Sequence, residues 1–207
     1  MDLEPILIGI TGNIGSGKSK FCGFLQTDGH RVILADAIAQ EQLDDPENLK
    51  QLVRHWGKTV VKGGKPDRKE IASIVFNNKV ERSWLNNLLH PRILVAMQQI
   101  VDESRDQYLF FEVPLLFEAG LQHCFDYIVL IAADRDLRLQ RLIKNCKGTP
   151  EEIEARMDAQ IDDVDKIPLC DLVIDNNGSL SSLRGQVAAL TARLDGIRRK
   201  DKIPFAN

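Results

Sequence analysis

The sequence predicts an α/β fold in which a parallel sheet lies between two layers of helices, and three observations carry that expectation. Apolar runs at 6–10, 108–113 and 127–132 are short and nearly unbroken, as strands buried on both faces are. The stretches between them carry helical rather than alternating spacing, which suits the long crossovers that parallel strands need. Directly behind the first run, residues 12–19 read Gly-Asn-Ile-Gly-Ser-Gly-Lys-Ser, matching G-x-x-x-x-G-K-[ST] between a strand and a helix.

That loop is a phosphate cradle by chemistry. Its glycines let the backbone N–H groups of Asn13, Ile14, Gly15, Ser16 and Gly17 turn inward around phosphate oxygens. Lys18 places an ammonium near the β- and γ-phosphates, and Ser19 offers a hydroxyl to Mg²⁺. The helix that starts here, with Lys20 in its first turn, adds the favourable field of its N-terminus. A ligand-free glycine turn accounts for the small residues but not for a long cation at this spacing.

Composition sets the outer bounds. The 207 residues are 43% hydrophobic, enough for one large domain with a sizeable core. A formal charge of −3 provides no global attraction to nucleic acid or an anionic membrane, so an anionic ligand has to be held by local cations. The acidic start fits neither a signal peptide nor a mitochondrial presequence, and no apolar run reaches membrane-spanning length. Cys22, Cys124, Cys146 and Cys170 are scattered without a C-x-x-C pair, which points to reduced thiols in a cytoplasm.

Taken in order, the first strand at 6–10 leads through the loop into a helix ending near Thr27, Asp28 and Gly29. A second strand at 31–34 carries Asp36 just beyond its carboxyl end, where α/β sheets line their ligand crevice. Asp36 equally suits an N-cap for the residues that follow. From 44 to 107 the pattern is helical, with an extended piece at 59–61, a loop at 63–66, and helix starts at Asp67 and Asn78. Pro91 suits the first position of a further helix. An excursion of this length between strands suggests a substrate-facing subdomain.

Glu112 lies near the end of the strand at 108–113, where it could stand near a metal shell or simply face solvent or pair with a helix cation. After the strand at 127–132, a helix from Asp134 shows Arg138, Arg141 and Lys144 along one edge, able to reach a triphosphate or to remain a solvated basic face. Thr149, Pro150 and Glu152 open the next helix with a capping box, so the pair forms a hairpin able to close as a lid. A last strand at 172–175 and a helix capped by Ser179 complete the fold, and the tail at 198–202 is expected to be solvated and frayed.

From residue 6 to about 194 the chain resembles the dephospho-coenzyme A kinases, P-loop kinases of the nucleoside monophosphate kinase-like group. The motifs are Gly-Ile-Thr-Gly-Asn-Ile-Gly-Ser-Gly-Lys-Ser at 9–19, Ala-Asp at 35–36, Asp-Arg at 67–68, Leu-Leu-His-Pro-Arg-Ile at 88–93, Pro-Leu-Leu-Phe-Glu at 114–118 and Val-Ile-Asp-Asn at 173–176. The resemblance implies a three-layer P-loop kinase of core 1–43, 106–140 and 166–207, a helical acceptor subdomain 44–105 and a lid 141–165. It implies ATP-dependent phosphorylation of the ribose 3′-hydroxyl of dephospho-coenzyme A, with Mg²⁺, by a monomer or small homo-oligomer.

By the same resemblance Asp36 is the general base, Lys18 and Arg141 hold phosphates, and Asn176 lies by the nucleotide base. Asp67, Arg68, His90, Arg92, Pro114, Leu115, Leu116 and Glu118 shape the acceptor site, and Ser19 holds Mg²⁺ with Glu112 or Asp36 acting through water. His90 serves equally as a helix-entry residue before Pro91. The chain departs from the family pattern at Leu34, Lys20 and Asn145, where an aspartate, a hydroxyl residue and an arginine are usual. Lys144 or Lys147 is placed to supply the missing lid charge, without bidentate geometry. A P-loop kinase acting on a nucleoside, nucleotide or other small hydroxyl acceptor also fits, and the departures at Leu34, Lys20 and Asn145 leave room for a nucleotide-binding switch with negligible transfer.

Overall fold

A computed structural model describes residues 4–76, 78–145 and 148–206. The chain divides into two units, one built from residues up to 34 together with 103–204, the other from 35–102 with the end of the chain from 205. The first unit opens with β1 (Ile6–Thr11), α1 (Lys18–Thr27) and β2 (Val32–Leu34). The second unit follows with α2 (Ala35–Asp44), α3 (Pro46–Trp56), β3 (Val61–Lys62), β4 (Lys65–Pro66), α4 (Arg68–Phe76) and α5 (Lys79–Asp102). The chain then returns through β5 (Tyr108–Glu112), β6 (Tyr127–Ala132), α6 (Arg135–Lys144), α7 (Pro150–Asp158), α8 (Asp163–Lys166), β7 (Leu172–Asp175) and α9 (Leu180–Thr191).

In the first unit the five strands lie in the order β2-β5-β1-β6-β7, all parallel. Alternate residues of the central strands face opposite ways. Ile8, Ile10, Phe110, Val129, Ile131 and Ile174 pack with Phe21 and Leu25 of α1 and Leu183, Val187 and Leu190 of α9. On the other face Leu116 and Phe125 close over Gly9, where a Cβ would meet the Leu116 side chain at 2.8 Å. Both faces are therefore apolar, as the unbroken hydrophobic runs require, and the α/β class with a parallel central sheet is as the sequence predicts. The register places Ile10 and Leu34 level with Glu112, so the carboxyl ends of β1, β2 and β5 share one edge of the sheet. The loop that follows β1 starts from that edge.

In the second unit, Asp45 caps α3 by accepting from Glu47 N and Asn48 N, with Pro46 preset at the first helical position. Leu52, Val60 and Ile71 form its core with Trp56, Trp84 and Leu85 around them. The Glu81 carboxylate takes the Trp56 indole N–H and the His55 ring nitrogen, each at 2.7 Å, and the His55 ring stacks on Trp84. The Trp56 N–H and then His55 hold the Glu81 carboxyl below the usual carboxylate range.

Three expectations change here. The extended piece expected at 59–61 is instead a 3₁₀ turn, Lys58–Val60, followed by a hairpin of β3 and β4. Gly63 and Gly64 both take positive φ, as a two-residue I′ turn demands. Pro91 does not start a helix but lies inside α5, where it leaves the carbonyl four residues back without its amide partner. The helix continues because residues on both sides of Pro91, Leu89 and Met97, are buried and hold it. The tail is not frayed: Lys200 N donates to Asp126 Oδ1 at 2.9 Å, Lys200 Nζ to Asp171 at 2.7 Å, and Lys202 Nζ to Asp126 Oδ2 at 3.1 Å.

Candidate active site

The loop 12–17 is shaped by its own backbone and by what crowds it. Gly12 has φ 145° and a Cβ there would lie 2.3 Å from the Ile131 carbonyl, so β6 itself excludes any side chain. Gly17 has φ 98° and a Cβ would meet the Asn176 amide at 2.2 Å. Ser16 N donates to the Asn13 carbonyl at 3.1 Å, closing the turn. Lys18 opens α1, is only 8% exposed, and its ammonium folds back to the carbonyls of Gly12 at 2.6 Å and Asn13 at 3.3 Å. Lys20, two residues further on, is exposed.

Ser19 of α1 donates its hydroxyl to Glu112 Oε1 at the end of β5 at 3.2 Å. The structure thus puts Glu112, 9% exposed, on the same hydroxyl that the loop pattern offers to a metal. Behind it lies Cys22, whose thiol is pushed far up by burial and then by the Glu112 charge, so it stays protonated. No group of three or more His, Cys, Asp or Glu side chains suited to a metal occurs among the described residues. A hydroxyl with one carboxylate is a donor set that fits Mg²⁺, which takes few protein ligands and completes its octahedron with phosphate oxygens and waters.

The basic edge of α6 separates into three environments. Arg138 is buried at 4% exposure and its Nε donates to the Ala133 carbonyl, while Arg141 Nη2 donates to the Asn176 carbonyl at 2.8 Å. Lys144 is exposed, and Lys147 lies outside the described residues. Ser16 Oγ, Arg138 Nη1 and Arg141 Nη1 are buried donors with no hydrogen-bond partner. Such groups each cost about 1–3 kcal/mol when left unpaired, and an anionic ligand would satisfy them. The residues present therefore fit a polyphosphate.

The Asn176 amide, expected beside a nucleotide base, donates to the Ser16 carbonyl at 2.6 Å and so braces the loop. Asn145 caps α6 by donating to the Arg141 carbonyl at 2.7 Å. Leu142 of α6 and Ile153 and Met157 of α7 pack together with Ile14 of the loop. The expected lid helices thus share an apolar cluster with the loop.

The candidates for acceptor binding fall in two places. In the first unit, Pro114, Leu115, Leu116 and Glu118 form the turn after β5: Leu116 is fully buried, Leu115 is half exposed, and Glu118 pairs with Lys166 at 3.0 Å. In the second unit, Asp67 caps α4 through Lys69 N and Glu70 N, and Arg68 pairs with Asp44 at 2.8 Å. His90 is exposed within α5, and Arg92 donates to the Leu88 carbonyl at 2.5 Å. Asp36 lies exposed inside the first turn of α2, which begins at Ala35, so it is not the N-cap that its position also suggested.

A model of the dephospho-CoA kinase family matches residues 6–182. The chain belongs to that family. A dephospho-CoA kinase of Chlorobium chlorochromatii is 37% identical over 199 residues, 92% of this chain and 94% of that one. A crystal structure from Thermus thermophilus superposes with TM-score 0.80 at 32% identity, covering 93% of this chain and 99% of that one. The dephospho-CoA kinase of Campylobacter jejuni superposes with TM-score 0.66 at 28% identity over 93% and 98% of the two chains. No described helix is long and apolar enough to cross a membrane.

Within this family frame the structure adds residues that sequence reasoning did not single out as site residues. They are Gln160, Asp163 and Lys166, from the segment after α7. Arg138, which the sequence leaves open between a phosphate contact and a solvated face, is the buried cation of the α6 edge among the described residues. Burial pushes the Asp163 carboxyl above its ordinary range despite Arg138 and Lys166 nearby. No local pattern marks these three, because their partners lie far away in sequence.

Proposed function

We propose that this chain transfers the γ-phosphoryl group of ATP to the ribose 3′-hydroxyl of dephospho-coenzyme A, giving ADP and coenzyme A, the final step of coenzyme A biosynthesis. The observation that carries the reading is the single family match running from residue 6 to 182, through the phosphate loop and the acceptor motifs alike. Phosphoryl transfer passes through a loose transition state, so positioning and charge neutralisation dominate. The loop amides, Lys18, Arg138 and Arg141 supply both from this chain. Ser19 and Glu112 would hold Mg²⁺, which when bound neutralises charge on the β- and γ-phosphates.

Asp36 is assigned as the base that accepts the hydroxyl proton, and Asp67, Arg68, His90, Arg92 and the turn 114–118 as acceptor-binding residues. Residues 44–105 are assigned as the acceptor subdomain, and 141–165 as a lid that excludes water, the unwanted acceptor. Scattered cysteines, with Cys22 and Cys124 buried and their thiols pushed up by burial, support a cytoplasmic enzyme. The proposal includes a monomer or small homo-oligomer.

The test is mass-spectrometric detection of coenzyme A after incubation with Mg-ATP and dephospho-coenzyme A. Product that needs both ATP and Mg²⁺ supports the assignment. Transfer only to a different hydroxyl acceptor would replace the substrate, and ATP binding with no transfer to any would replace the enzyme with a switch.

A further inference from the structure

Lys166 is completely buried, with 0% of its side chain exposed. Enclosing an ammonium costs several kcal/mol unless its protons are matched, so its partners say what it is for. It pairs with Glu118 Oε1 at 3.0 Å and donates to the side-chain oxygen of Asn13, inside the phosphate loop, at 2.7 Å. Glu118 balances the charge, and the contact to Asn13 satisfies a further proton of the ammonium. That contact reaches the loop from 153 residues away in sequence.

Asn13 stands at a position that the loop pattern leaves open, yet its groups are committed on every side. Its Nδ2 donates to the Ile161 carbonyl at 3.1 Å, and its own carbonyl accepts from Ser16 N at 3.1 Å and from the Lys18 ammonium at 3.3 Å. A second strap runs beside it, from Ile14 N to Gln160 Oε1 at 2.7 Å. Glu118 completes the frame by accepting from Ile161 N at 3.1 Å. Residues 160–166 therefore grip the second and third positions of the loop, with Lys166 as the charged centre of the grip.

We propose that Lys166 is a positioning residue for the nucleotide phosphates, acting through Asn13 to fix the carbonyl on which Lys18 rests. The proposal rests on the loop binding ATP. It assigns Glu118 primarily to this frame, as the counter-charge that lets Lys166 be buried.

The test is a double-mutant cycle read by calorimetric titration with Mg-ATP. Lys166→Met and Asn13→Ala should each weaken ATP binding by about tenfold, the scale of one charge-assisted hydrogen bond. The double variant should be no weaker than the worse single one, because both act along one path. The KM for dephospho-coenzyme A should stay within about twofold in all three, separating loop positioning from general damage. Should Lys166→Met not fold, Lys166→Met combined with Glu118→Gln removes the stranded carboxylate, and Asn13→Ala alone leaves the buried pair intact. Unchanged ATP affinity in a folded variant, or penalties that add in the double, overturns the proposal. Wild-type protein that fails to bind ATP would instead overturn the functional reading beneath it.

Discussion

Asp36 stands two residues past the end of β2 and one residue inside α2, exposed. Asp36→Asn keeps the shape and removes the proposed base. Turnover should fall by roughly 10²- to 10⁴-fold while the KM for ATP changes by less than about threefold, in steady-state kinetics with both substrates varied. Unchanged turnover would remove Asp36 from the chemistry. At this scale the sequence revealed side chains that sit in a motif and hid those that do not. Lys18 and Ser19 stand out as candidates from spacing, because strand, turn and helix place them by local geometry, whereas position leaves Asp36 between two readings and only the family resemblance makes it the base. Spacing leaves Arg138 between a phosphate contact and a solvated face, and gives Lys166 no mark at all. Whether a cation is buried depends on partners brought by the sheet, such as Asn13 and Glu118 for Lys166, and periodicity carries no record of them.

Elements with their own stop and start chemistry were the most legible. Thr149 accepts from Glu152 N at 3.3 Å while Glu152 returns a carboxylate to Thr149 N at 2.9 Å, the reciprocal capping box that the sequence predicts. Ser179 likewise caps α9 through Ser182 N at 3.1 Å. Thr149→Ala should lower the local stability of α7 by about 1 kcal/mol, seen as faster amide exchange in that helix. Exchange unchanged throughout α7 would show that its packing through Ile153 and Met157 alone sets its stability. Elements without such chemistry were misread. A two-residue strand has no period, so β3 and β4 were invisible beyond their glycine turn. Pro91 carries a strong helix-start signal, which long-range packing of α5 overrides at the loss of one helical hydrogen bond.

At the scale of the whole chain, the largest departure from expectation is the C-terminal segment. A run of charges read locally should be solvated, yet Asp126, with 0% exposure, draws it in. Its carboxylate accepts from Leu7 N at 2.8 Å, Lys200 N at 2.9 Å and Lys202 Nζ at 3.1 Å, so one side chain ties β1, the entry to β6 and the tail together. Lys200 Nζ adds a second tie to Asp171, which also receives Ile128 N at 2.8 Å from β6. A buried carboxylate with three donors leaves no room for an amide. Asp126→Asn turns an N–H toward groups that are themselves donors and strands Lys202, so it should cost about 3–5 kcal/mol. For a chain of this size that lowers the Tm on the order of 10 °C in a thermal melt. Catalytic turnover per folded molecule, measured well below the transition, should not change, because Asp126 holds the frame and touches none of the proposed machinery. A melt within a degree or two of wild type would return the tail to the solvent where its composition first placed it.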